Sequence, residues 1–111
     1  MSPDHGWLQD MLTSARLAEQ YVAGMREDEF LVDTKTQDSV VRRLEIIGEA
    51  ANNVSTATRA ALDVPWQQII AQRHIVVHHY RKLVMPRIWA TIHDDLPRLA
   101  AALESYLATI A

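Results

Sequence analysis

The sequence predicts an all-α fold: an antiparallel bundle of four to five helices with a kinked last helix. Three observations carry this. Apolar residues recur at spacings of three and four over most of the chain. Glycine is scarce, at 3 of 111 residues, while alanine and leucine abound, which favours helices. Clusters of β-branched residues are short.

The elements follow in order. Leu8, Met11, Ala15, Ala18, Val22 and Met25 step by three and four, predicting a first helix from about Pro3 to Met25. Pro3 is tolerated there because a first-turn residue needs no amide donor. The polar stretch Arg26 to Lys35 reads as a connector. Val40, Leu44, Ile47 and Ala51 predict a second helix from about Thr36 to Asn52. Ser55 to Leu62 can form one or two helical turns. Asp63 is a candidate cap, and Pro65 opens a segment from Trp66 to about His78 with Ile69, Ile70, Val76 and Val77 as its apolar residues. Arg81 to Pro86 connects it to a long last helix carrying Ile88, Ile92, Leu96, Leu99, Leu103, Leu107 and Ile110. Pro97 lies inside that helix and should kink it, since it removes a hydrogen bond and crowds the preceding turn.

The length fits one domain spanning residues 1–111. Hydrophobic residues make up 49%, as in a globular protein rather than a disordered chain. No cysteine is present, which excludes disulfides and thiolate zinc sites and suits a reducing compartment. The start lacks the pattern of a signal peptide, and no apolar run approaches the roughly 20 residues of a membrane span. The expectation is a cytoplasmic protein without a membrane.

The formal net charge is −3, which alone argues against a nucleic-acid partner. The distribution argues otherwise. From Val64 to His93 there is no Asp or Glu, and that window holds Arg73, Arg81, Lys82, Arg87 and four of the five histidines. The acids crowd elsewhere, at Glu27, Asp28, Glu29, Asp33 and Asp38. An acidic protein can still offer one positive face to a polyanion.

Within that window, Arg73, His74, His78, His79 and Tyr80 fall within eight positions. RNA cleavage without metal uses these side-chain types. A base takes the ribose 2′-hydroxyl proton, an acid protonates the leaving 5′-oxygen, and a cation stabilises the phosphorane. Imidazole serves as acid or base near neutrality. Guanidinium presents a planar fork to phosphate. His74 and His78, four apart, share a helix face. Arg73 and His78, five apart, lie about 140° from each other on one ideal helix. Either the helix ends near His78, or a second copy completes the site across a two-fold axis; the second arrangement accounts better for the offset. A metal on His74 and His78 is the competing reading, but no Glu follows His74 and the nearest acids are Asp63 and Asp94. The residues call for neither a metal nor another cofactor. Trp66 and Trp89 read as packing residues rather than base-stacking platforms. Glu45 and Glu49 read as a solvated helix face, or else as acids that orient Arg73.

Arg73, His78 and Tyr80 together spell Arg, four residues, His, one residue, Tyr. This resembles the motif of the HepT-like branch of the HEPN superfamily. The resemblance extends to Arg43 through Ala51, to Pro65-Trp66, to Trp89 and to Asp95-Leu96-Pro97, in the family's order. It implies a HEPN-like bundle that dimerises with its two motifs face to face and cuts RNA without metal. It implies Arg73 and His78 as the catalytic pair; beside them His74, His79, Arg81 and Lys82 are candidate auxiliary or substrate-binding groups. It also implies a toxin whose partner is an MntA-like minimal nucleotidyltransferase, which transfers AMP onto Tyr80 and silences it. His79 departs from the family, where small residues are common; an imidazole there can join the chemistry or sit in solvent, which leaves the assignment of acid and base open. Two other functions compete: a non-catalytic RNA- or nucleotide-binding HEPN module partnering a nucleotidyltransferase, and a purely structural helical partner of that enzyme.

Overall fold

A computed structural model describes residues 3–79 and 84–110. Among the described residues all regular structure is helical. The long elements are α1 (Pro3–Tyr21), α3 (Thr34–Asn53), α5 (Trp66–His78) and α7 (Leu96–Ile110). Short helices fill the gaps: α2 (Glu27–Phe30), α4 (Thr56–Ala61) and α6 (Met85–Ala90). A π-helical turn, Thr91–Asp95, joins α6 to α7. The core forms where α1 packs on α3 and α7, and α5 lies against α3.

Helices α1, α3 and α7 bury most of the stripe that their spacing predicts. Leu8, Met11, Ala15 and Ala18 of α1 are buried completely, and they meet Val40, Leu44, Ile47 and Ala51 of α3 in one apolar cluster. Leu96, Leu99, Leu103 and Leu107 close that cluster from α7. Burying a Leu, Ile or Met side chain is worth about 1.5–3 kcal/mol each, so this stripe dominates the favourable side of folding. Among the described residues, no helix is long and apolar enough to cross a membrane.

The structure moves several expected boundaries. The first helix stops at Tyr21 rather than Met25, because Gly24 takes a positive φ of 75°. Val22 stays buried and accepts the Met25 amide, so the apolar pattern outlasts the helix. The Arg26 to Lys35 connector contains α2, which exists to bury Phe30. Gln37 Nε2 donates to the Phe30 carbonyl, and Trp89 stands 5.3 Å away, centroid to centroid. Asp33 starts the next helix early at Thr34, accepting from the Thr36 amide. Asp63 does not cap α5. Pro65 holds that position, with no side-chain hydrogen bond, after two tight turns at Val64 and Trp66.

The kink expected at Pro97 is present one turn earlier. The Leu96 amide reaches back five residues to the Thr91 carbonyl. Pro97 has no amide to give and its ring crowds the carbonyl four residues behind, so the backbone widens there.

Asp4 staples α1 to α4. Its carboxylate accepts from the Ser55 hydroxyl, from Thr58 Oγ1 at 2.7 Å and from the Ser55 amide at 3.1 Å. The Ser55 hydroxyl, then Thr58, then the Ser55 amide hold this carboxyl below its ordinary range. A depressed carboxyl contributes stability above its unfolded pKa and loses it as pH falls through the folded value. Asp4→Ala should therefore lower the melting temperature at pH 7. The gap to wild type should narrow at about pH 3, near and below the ordinary carboxylate range. Parallel melts at the two pH values check this, and an equal gap at both would refute it.

Candidate functional site

The site is built on α5. Trp66 anchors its start, buried to 8% exposure, with Nε1 donating to the Arg59 carbonyl at 3.1 Å. Val76 is its other buried residue. Ile69 and Ile70 are half-buried, whereas Val77 is exposed. The helix ends at His78. His79 leaves it with φ −130° and ψ 42°, and its amide bonds the Ile75 carbonyl at 2.9 Å. Of the two arrangements open from the spacing, the helix end at His78 is thus present.

Three imidazoles gather at that end. The rings of His74 and His78 lie 4.7 Å apart, and those of His74 and His79 lie 5.5 Å apart. All three are exposed to solvent. Among the described residues, no set of three His, Asp or Glu side chains is placed to share a metal ion.

Arg73 goes the other way. Its stem lies on α3 at Gly48, where a Cβ would stand 2.2 Å from the Arg73 Cβ. Its Nε is shut off from solvent and has no hydrogen-bond partner. Five residues along one helix put Arg73 and His78 about 140° apart, and the observed α5 includes both. The structure therefore brings His74, His78 and His79 together and sets Arg73 in the seam with α3. Tyr80, Arg81 and Lys82 lie outside the described residues.

Two acids on the neighbouring elements are paired with arginines. Glu45 pairs with Arg42 at 2.8 Å on its own helix. Asp95 pairs with Arg98 at 3.1 Å. Arg87 is exposed on α6. His93 Nδ1 contacts the Trp89 carbonyl at 2.9 Å, and its ring stacks on Trp89 at 4.0 Å. A groove of about 1050 Å³ runs between α5 and the last helix, lined by Gln68, Gln72 and Ile75 on one side and Thr91, Asp94 and Leu99 on the other. Gln72 reaches across it to the Thr91 hydroxyl at 3.4 Å. Neither Gly48 nor Gln72 emerged from spacing as a site residue, because each acts through a neighbour distant in sequence.

An all-helical chain with this arginine and histidine cluster on its third long helix is a HEPN-type protein. The chain belongs to the ribonuclease HepT-like family, whose model matches residues 11–106. It is 32% identical over 99 residues to a protein of Thermococcus cleftensis named a probable ribonuclease HepT, covering 88% of this chain and 90% of the relative. It is 33% identical over 94 residues to a Methanocaldococcus jannaschii protein named a gamma-glutamylcyclotransferase and candidate RNase. That match covers 84% of this chain but only 42% of the relative. A candidate RNase of Caldanaerobacter subterraneus subsp. tengcongensis is 30% identical over 108 residues, 96% of each chain. No solved structure gives a significant match.

Proposed function

We propose that this chain is a metal-independent RNA endonuclease, the toxin of a toxin–antitoxin pair. The observation that carries the reading is the placement of Arg73 on α5 and of three exposed imidazoles gathered at its end, within a family named for ribonuclease activity. A histidine takes the 2′-hydroxyl proton, and the 2′-oxygen attacks the adjacent phosphorus. The bond to the 5′-oxygen breaks, and a second imidazole protonates that oxygen. Arg73 stabilises the phosphorane. His78 is the principal acid–base group. His74, His79, Arg81 and Lys82 assist or hold substrate phosphates. The test is incubation of the purified protein with total RNA in EDTA, beside the Arg73 and His78 variants treated in the Discussion. RNA bound but left intact would favour the non-catalytic binding module.

The active form is a homodimer with the Trp66 to Tyr80 segment in its interface. Two observations support this. Arg73 and His78 point apart within one copy, and α5 leaves Ile75 and Val77 exposed at 42% and 40%. A second copy covers these and brings its own arginine and histidines to the cleft. A specific dimer should bury at least about 1,000 Å². Light scattering at micromolar concentration should give twice the chain mass; a monomer would contradict the reading.

Tyr80 is the switch. A cytoplasmic MntA-like nucleotidyltransferase transfers AMP onto its hydroxyl, releasing pyrophosphate from ATP. The added phosphate carries negative charge beside Arg81 and Lys82, which then pair with it rather than with RNA. With ATP, Mg²⁺ and the cognate enzyme, intact mass should rise by about 329 Da per AMP. Tyr80→Phe should show no gain, keep much of its cleavage and escape inhibition. A gain that persists in Tyr80→Phe removes Tyr80 from this role.

A further inference from the structure

Gly48 sits in the buried middle of α3. A glycine inside a helix destabilises it relative to alanine, so its presence needs a reason. Backbone conformation is not that reason, because among the described residues only Gly24 has a positive φ. Space is. An ideal Cβ at position 48 would stand 2.2 Å from Arg73 Cβ, 2.9 Å from Cγ and 3.2 Å from Cδ. Ordinary contact begins at 3.4 Å. The first of these atoms has no rotamer to escape into, because Cβ is fixed to the α5 backbone. Any side chain at 48 must therefore push α5 itself away from α3.

The same contact is what holds Arg73. Its Nε has no hydrogen-bond partner, and among the described residues no acid forms an ion pair with it. The first three carbons of the stem lie on the flat left by Gly48, which restricts a side chain otherwise rich in rotamers.

We propose that Gly48 is a positioning residue for the arginine: the missing side chain on α3 is the seat that sets the depth and aim of the Arg73 guanidinium. The proposal rests on the ribonuclease reading and adds a residue from a second helix to its site. His78 rides on the same helix as Arg73, so a displaced α5 misplaces both groups. A misplacement of about 1 Å can cost about 10²-fold in rate.

The experiment uses the full chain with Gly48→Ala. Cleavage at saturating RNA should fall about 10²-fold with KM little changed. Val40→Ala, which thins the core face of the same helix away from Arg73, should lower stability and leave the rate unchanged. A physical readout runs alongside: the Arg73 Nε–H resonance in labelled protein should exchange slowly with water in wild type and faster in Gly48→Ala. A folded Gly48→Ala with wild-type rate and exchange would overturn the proposal. Should Gly48→Ala fail to fold, adding Arg73→Gly removes the opposing Cβ and should restore folding; no restoration would also overturn it. Arg73→Ala separates the two claims. If that variant cleaves normally, the ribonuclease reading fails, while the exchange measurement still decides whether Gly48 seats the arginine.

Discussion

Arg73→Ala and His78→Ala should each lose RNA cleavage by about 10²–10⁴-fold, the usual loss on removing an acid–base or charge-stabilising group. His78 is exposed at the end of α5, so its removal should change stability by no more than about 0.5 kcal/mol. Arg73 is half-buried with its stem on α3, so alanine there also removes packing. Arg73→Lys separates the two effects. It keeps the stem and the charge and loses the planar fork, so it should fold as wild type and still cut poorly. His79→Ala should be milder than His78→Ala. Single-turnover cleavage in EDTA measures all four. A double variant of Arg73 and His78 that still cuts RNA places the chemistry elsewhere.

Phe30→Ala should be the most damaging substitution for stability outside the long helices. Phe30 has no exposed surface although it sits in a four-residue helix. Truncating a buried phenylalanine typically costs about 3–5 kcal/mol through lost transfer energy and the cavity left behind. Domains of this size are stable by about 5–15 kcal/mol, so the variant should be marginal. Trp89 would lose the ring it packs against, and the contact joining α2 to α6 would loosen. Urea unfolding measures the loss; a cost under about 1 kcal/mol would show that the site collapses without a cavity.

Phe30 also shows what was illegible in the sequence. Periodicity needs a window longer than one turn, and Glu27-Asp28-Glu29-Phe30 offers one apolar residue after three acids. Helices α1, α3 and α7 were legible because each repeats its apolar spacing for three turns or more. The bounds of α5 were legible from Pro65 before it and from the loss of apolar pattern after His78. The end of α1 was not, because Val22 and Met25 continue the stripe through a turn that only the φ of Gly24 reveals. At the site, the spacing of four between His74 and His78 placed the two rings together, as observed. The burial of Arg73 against Gly48 could not be read that way. It depends on the close approach of two helices whose contact residues are 25 positions apart (73 against 48), and no local pattern encodes a distance between helices.

The wide turn at Thr91–Asp95 is a register correction. Ile88, Ile92 and Leu96 follow one another at intervals of four, and an unbroken α-helix would swing each about 40° past the last. A turn closed five residues back advances less per residue, so Leu96 returns beneath Ile92 and all three stay in the core. The last helix thus carries one residue more than its length in the core requires. That surplus falls among His93, Asp94 and Asp95, all facing water. It makes this turn the place where the chain can shorten by one residue while the apolar faces before and after it keep their alignment.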